Sequence, residues 1–237
     1  DIYNPFSLIN ALDTQNLNSY WASSGATSML PTFVKDVELR LQDFEDCMIL
    51  RNTLETSDVT AGGSELFLYQ SGYLTIKSCQ GNIYHLGFPN EEVKQALYEC
   101  VLPALTLRQE ADTQSLQAQV YQYLEFKELG KAMKAIKALV ADVPYSNKKL
   151  ASMNMEERYR LIISTILNAI GFSVEVEHML STGRIDIVCK TAKHIYVIEL
   201  KLAKNGGVRA AAEQIKSNGY TEPFLAEKRD VIALAVE

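Results

Sequence analysis

The sequence predicts an α/β protein (α+β overall): an α-β-β-β-α-β core with a mixed sheet in residues 144–237, preceded by a small α+β and helical region. Two observations carry this. An amphipathic run, "NMEERYRLIISTILNAIG", is followed by three short strand-like segments, "SVEVEHM", "RIDIVCK" and "IYVIELK", separated only by "STG" and "TAKH". Turns that short join antiparallel neighbours. A second helical run, "VRAAAEQIKSNGY", then leads into "DVIALAV", and a strand–helix–strand crossover sets its two strands parallel.

Each element has a local reason. In residues 64–77, "SELFLYQSGYLTIK" reads as two strands about Ser71-Gly72, and "NIYHLGFPN" as a third ending in a Pro turn. "AGGS" at residues 61–64 reads as a turn. "NEEVKQALYECVL" is a helix capped by Asn90, with Val93, Leu97 and Val101 on one stripe. Leu116, Val120 and Leu124 form a second stripe, Gly130 breaks it, and Met133, Ile136 and Val140 form a third that ends before Pro144. Further on, Tyr159, Ile162, Ile163, Ile166 and Ile170 share a helix face, with Gly171 as the stop. Gly219 ends the last helix. The expected division is an α+β region at 1–108, a helical linker at 109–143 and the core domain at 144–237.

Composition restricts the function classes. The 237 residues are 47% hydrophobic and 22% charged, as in a folded globular chain. No run of eighteen apolar residues occurs, so no membrane span is expected. The first residues, "DIYNPFSLIN", have neither an initiator Met nor the pattern of a signal peptide, and the chain is expected to be part of something longer. Cys47, Cys79, Cys100 and Cys189 are scattered, and His85, His178 and His194 form no ligand spacing. Zinc is therefore unsupported, and reduced thiols in a cytoplasmic protein are expected. The net charge of −6 argues against bulk nucleic-acid binding. It is uneven, however: from Pro144 onward thirteen Lys/Arg face eleven Asp/Glu, against ten and eighteen before it. A mildly basic C-terminal part permits a phosphate-bearing partner.

Charge inside the strand patterns points to chemistry. Because strand side chains alternate, Ile195, Val197, Glu199 and Lys201 share one face, while Asp186 shares a face with Arg184 and Val188. Pairing through the short "TAKH" turn brings Asp186 near Glu199. Two adjacent carboxylates repel unless a proton or cation lies between them. A divalent metal fits: Mg²⁺ or Mn²⁺ takes hard oxygen ligands, lowers the pKa of bound water and stabilises charge on a phosphoryl oxygen. Lys201 beside it could orient the attacking water. The E-x-K spacing alone carries nothing, since Glu92–Lys94 and Glu125–Lys127 repeat it in helical patterns. The competing explanation is an edge-strand salt bridge of Glu199 with Lys201 or Arg184.

At these residues the chain resembles the PD-(D/E)xK nuclease superfamily, and more narrowly the nuclease-like domain found behind an AAA-ATPase-like domain in many bacterial proteins. The matching text is "MEERY", "GF-V-E", "STGRIDIV", "IYVIELKL" and "AAEQIKSNGY". The resemblance implies a restriction-endonuclease-like core in which Asp186 and Glu199 bind metal and Lys201 is catalytic. It adds Glu156 as the helix glutamate, with Glu157 one residue away, and Gln214 on the second helix. Arg184, Lys204, Lys216 and Tyr220 are the candidate nucleic-acid contacts. Upstream, "YNPFSLINAL" and "YWASSGATSML" resemble the segment after the ATPase core, and "DVPYSN" its linker. The sequence departs from the family in stopping at "VIALAVE", where the family usually continues past its last strand.

The expected function is metal-dependent hydrolysis of phosphodiester bonds in DNA or RNA, with an ATPase domain of the same longer chain as a further partner. The alternatives are an inactive nuclease fold that binds nucleic acid or protein, and a regulatory partner of an ATPase that docks through the acidic N-terminal part. No GxxxxGK[ST] loop occurs in the chain, so nothing cradles a triphosphate. The expected outcome is no ATP hydrolysis and no nucleotide affinity in this chain, and saturable ATP binding by calorimetry would contradict it.

Overall fold

The computed structural model describes residues 5–16, 20, 41–56, 63–106, 110–141 and 153–237. "DVPYSN", the boundary at residue 144 and all of "YWASSGATSML" except Tyr20 lie outside the described residues. The chain divides into two compact units, Asp1–Ala104 and Leu105–Glu237.

In the first unit, α1 (Pro5–Thr14) and a 3-10 turn (Leu41–Glu45) precede β1 (Cys47–Leu50), α2 (Arg51–Leu54), α3 (Gly63–Gln70), β2 (Thr75–Gln80), β3 (Ile83–Gly87) and α4 (Glu91–Thr106). The strands form an antiparallel sheet in the order β1-β3-β2. Two expectations are corrected here. Residues 63–70 are helical, so the segment read as two strands is a helix followed by one strand, and Gly63 and Ser64 open that helix rather than a turn. Gly72 explains the first error. Its φ of 84° serves a helix end as readily as a hairpin. The Tyr73 N–H returns to the Leu68 carbonyl at 2.8 Å, which is the bond pattern of a glycine-terminated helix. The Asn90 cap is present, its Oδ1 accepting from the Val93 N–H at 2.9 Å.

The second unit holds α5 (Glu110–Glu125), α6 (Leu129–Ala141), α7 (Met155–Ala169), β4 (Ser173–Leu180), β5 (Gly183–Lys190), β6 (His194–Leu200), α8 (Gly207–Ser217) and β7 (Asp230–Val236). The sheet order is β4-β5-β6-β7, with β6–β7 parallel and the other pairs antiparallel. This is a mixed α/β fold with a four-stranded mixed sheet flanked by helices, consistent with the restriction-endonuclease-like core. α7 begins at Asn154, whose Oδ1 accepts from the Glu157 N–H, and ends before Gly171 at φ 84°.

Helices α5 and α6, which fall in the segment expected as a linker at 109–143, are part of this unit. The Tyr196 hydroxyl donates to the Leu124 carbonyl, and the buried Glu125 carboxylate accepts from the Ala192 N–H at 3.1 Å in the β5–β6 turn. The break between α5 and α6 falls at residues 126–128, where Lys127 adopts φ 58°. Gly130 lies inside the first turn of α6.

Helices cover both faces of the sheet. Met133, Ile163 and Leu167 meet Cys189, Tyr196 and Ile198 on one face. On the other, Val188, Ile195 and Val197 pack with Ile215, Tyr220 and Phe224. β6 is buried along its whole length, which accounts for its nearly unbroken apolar sequence.

The β4–β5 hairpin is locked to α8 at Gly183. A Cβ there would lie 2.6 Å from the Tyr220 hydroxyl, and the residue has φ 153°. Asn218 Nδ2 donates to that hydroxyl at 3.0 Å, and the Thr182 hydroxyl donates to the Asn218 carbonyl at 2.7 Å. Gly183→Ala is expected to destabilise the unit by about 1–3 kcal/mol through overpacking and backbone strain. Adding Tyr220→Phe should recover part of that loss, as read by urea unfolding of both variants.

Candidate active site

Glu199 is a carboxylate in a strand that is otherwise apolar, and it is only 1% exposed. The register explains what faces it. Ile187 pairs with Ile198, so one step further Asp186 stands opposite Glu199. Ile185 and Val188 lie in the same core cluster, so strict alternation does not run through Asp186, and its carboxylate is placed by the contacts it makes rather than by strand period. On the other edge of β5, Val176 pairs with Ile187 and His178 with Ile185. Glu177 and Asp186 fall between those two pairs and are joined by Arg160, so three acids, Glu177, Asp186 and Glu199, follow one another in a row across β4, β5 and β6.

The regular β5–β6 register ends at this row. Asp186 Oδ2 accepts the Leu200 N–H at 2.9 Å, so a side chain satisfies a backbone donor on the neighbouring strand. Asp186 Oδ1 accepts from Arg160 Nη1 at 3.0 Å, while Nη2 of the same guanidinium lies 2.7 Å from Glu177 Oε1. Arg184 Nη1 lies 3.0 Å from that same Glu177 oxygen.

Glu199 is less well served. Its Oε1 lies 3.7 Å from Lys201 Nζ, and its Oε2 is buried without a hydrogen-bond partner. Burial first, and then the neighbouring Asp186 charge, push its carboxyl up to about 7 despite Lys201 and a hydrogen bond from the Asp186 backbone N–H. Lys201 stands just past the end of β6, its N–H bonded to the Val236 carbonyl at 3.0 Å.

Glu156 enters from the first turn of α7. Its Oε1 accepts from the Leu202 N–H at 3.1 Å and from Asn205 Nδ2 at 2.6 Å. Burial alone would raise this carboxyl, but those bonds, with Lys201 and Lys204 nearby, hold it below the usual carboxylate range. Of the two adjacent glutamates it is Glu156 that reaches the loop after Lys201, whereas Glu157 turns to the helix cap at Asn154. A cavity of about 510 Å³ opens beside Glu156 and Lys201, walled in part by Tyr159, Ile163, Leu200 and Val236.

The other five sequence-predicted residues do not all join the acids: Lys204 lies near Glu156 and Arg184 on Glu177, whereas Gln214 pairs with Tyr220. Gln214 Nε2 donates to the Tyr220 hydroxyl at 3.3 Å, which ties it to the Gly183 lock. Tyr220 is 1% exposed, so its ring is a packing element and has no surface to offer a nucleic acid. Lys204 and Lys216 are exposed, and Arg184 is half exposed while engaged by Glu177. Sequence reasoning missed Arg160 and Glu177. The first had a signal: it follows Glu156 by four residues and so shares its helix face. The second had a partial one in the alternation of "VEVE".

The donor set suits a hard cation. Glu199 keeps an orphaned buried oxygen and feels the charge of a second carboxylate, Asp186. Among the described residues no group of three His, Cys, Asp or Glu could hold an ion. Two carboxylates, with carbonyl and water oxygens for the remaining positions, are the ligand type Mg²⁺ takes.

Comparison with known proteins bears on the same segment. Residues 154–237 match the family model of the PD-(D/E)XK nuclease superfamily. The chain is similar to the "Uncharacterized protein in vnfD 5'region" of Azotobacter chroococcum mcd 1, with 28% identity over 253 residues that cover all of this chain and 46% of that protein. The chain thus spans about half the length of that relative. No solved structure matches the chain significantly. No helix among the described residues is long and apolar enough to cross a membrane.

The raised Glu199 carboxyl makes a pH prediction. Its folded-state pKa of about 7 lies above the ordinary value of 4.5, so the folded form holds the proton more tightly. That contribution is complete below about pH 4.5 and is lost as pH rises through 7. Without divalent ions, wild-type stability should fall across this window relative to Glu199→Gln. Urea unfolding of the two proteins at stepped pH reads the difference, and parallel curves would contradict it.

Proposed function

We propose that residues 154–237 act as a divalent-metal-dependent nuclease domain that hydrolyses phosphodiester bonds in DNA or RNA. One observation carries this: the buried Glu199, with an unpartnered oxygen, stands opposite Asp186 where the β5–β6 register ends, and Lys201 follows on the same side. The family match over the same residues supports it.

Asp186 and Glu199 would hold Mg²⁺ or Mn²⁺. Such an ion supplies charge stabilisation at a phosphoryl oxygen and a more acidic bound water. The Leu200 N–H fixes the Asp186 carboxylate, and the burial of Glu199 keeps bulk water from competing for it. Lys201 donates to and orients the attacking water beside Glu199. Glu156 clamps the loop that follows Lys201 through Leu202 and Asn205, which holds the lysine in register with the acids. Gln214 acts through Tyr220 on the hairpin that carries Asp186. Exposed Lys204 and Lys216, with Arg184, offer cations to backbone phosphates.

A cytoplasmic setting and an ATPase-like domain elsewhere in a longer polypeptide belong to the same proposal. The second rests on the resemblance of "YNPFSLINAL" and "YWASSGATSML" to the segment after an ATPase core, and a relative of about twice this length leaves room for it. A second reading, an inactive nuclease fold used for binding, draws on a specific feature: Asp186 already carries Arg160 and the Leu200 N–H.

Incubation with plasmid, single-stranded DNA and RNA should show cleavage in Mg²⁺ or Mn²⁺ and none in EDTA. Lys201→Ala should lower the rate at least about a hundredfold while leaving fold and nucleic-acid binding nearly intact. Asp186→Asn should lose metal affinity as well as activity, because an amide oxygen is a poorer ligand. Equal cleavage by wild type and Lys201→Ala would defeat the assignment at this site.

A further inference from the structure

Arg160 and Glu177 lie outside the roles assigned above, yet the geometry around them is unusual. Glu177 sits in the interior of β4 with φ 54°. A non-glycine residue in that left-handed region is strained and is kept where the surroundings over-determine it. Here the surroundings are two guanidinium groups on one carboxylate oxygen. Arg160 lies at 2.7 Å and Arg184 at 3.0 Å.

The Arg160 side chain is 14% exposed and splits its fork between strands, one nitrogen to Glu177 on β4 and the other to Asp186 on β5. A guanidinium is planar and always charged, and can hold two carboxylates at once or one of them bidentately. It therefore has two stable destinations a few ångströms apart. A divalent ion between Asp186 and Glu199 would share Asp186 with this fixed positive charge. At such separations, repulsion between a monovalent and a divalent cation is enough to weaken binding at least about tenfold even at an effective dielectric constant of about 20.

We propose that Arg160 is the built-in counterion of the metal-free site and sets its affinity for a divalent cation, with Glu177 as the anchor that draws the guanidinium off Asp186 when the cation enters. The inference rests on the metal-site reading of Asp186 and Glu199. In the metal-free protein Arg160 neutralises the middle acid of the row, so the three carboxylates are not left facing one another. On cation binding the guanidinium leans onto Glu177, which the strained backbone of β4 holds ready for it. Arg184 shares Glu177 and limits how strongly that anchor pulls.

Isothermal titration of the full chain with Mn²⁺ at low ionic strength tests this without reference to cleavage. Arg160→Met removes the competing charge and should bind Mn²⁺ at least about tenfold more tightly than wild type. Glu177→Gln removes the anchor and leaves the whole guanidinium to Asp186, and should bind at least about threefold more weakly. Circular dichroism checks that each variant is folded. If Arg160→Met is not, the sign of the Glu177→Gln change decides alone. Affinities equal within about twofold in all folded forms, or weaker binding by Arg160→Met, overturn the inference and leave the nuclease reading standing. No Mn²⁺ binding by wild type or by either variant overturns both.

Discussion

A carboxylate buried in the central strand of the sheet is the constraint on which the rest of the C-terminal unit depends. Glu199 is almost wholly out of solvent, and taking an uncompensated charge out of water costs several kcal/mol even after relaxation. The neighbouring Asp186 adds repulsion. Such a pair persists only if the fold brings positive charge or donors to it, and several elements here do. The Leu200 N–H and Arg160 serve Asp186. For Glu199 there are Lys201 at 3.7 Å and the Asp186 backbone N–H, and one oxygen remains unserved.

That constraint organises the surrounding chain. α7 contributes two residues one turn apart, with opposite duties. Glu156 accepts from the loop beyond Lys201, and Arg160 donates to the acid row. The β4–β5 hairpin that carries Asp186 is held by Tyr220 against Gly183, where no side chain would fit. At the far end of the sheet, α5 reaches the β5–β6 turn through Glu125. This anchors the end of the central strands remote from the acids, while the end that carries them is left to open around Asp186.

The arrangement also explains why a short E-x-K spacing has chemical meaning in one place and none in two others. Glu92 and Lys94 lie within α4, and Lys94 pairs with Glu45 at 2.6 Å, an ordinary ion pair. Glu125 ends α5 as a structural acceptor, and Lys127 lies 2.5 Å from Asp230. Only at Glu199 and Lys201 does the period of two in a strand put acid and lysine on one side, beside a second acid from the neighbouring strand.

By itself the sequence determined the order and type of the α-helices and strands from residue 155 to the last strand, and the antiparallel and parallel pairings of those strands, but not the 3-10 turns at Ala203–Asn205 and Glu222–Phe224. Short turns, apolar periodicity and glycine stops are local signals, and the length of a connection restricts strand direction. It also singled out Asp186 and Glu199, because a charge that interrupts a strand pattern is visible without coordinates. Several features were decided only by tertiary structure. Residues 63–70 became a helix because Gly72 suits either motif, and the bond from Tyr73 to Leu68 selects the helix end. Tyr220 passed from candidate contact to buried lock because its exposure depends on Gly183, distant in sequence. Glu177 joined the acid row through the pairing of β4 with β5, and Arg160 through the packing of α7 beside that row. Non-local pairing of that kind leaves no periodic trace in the chain.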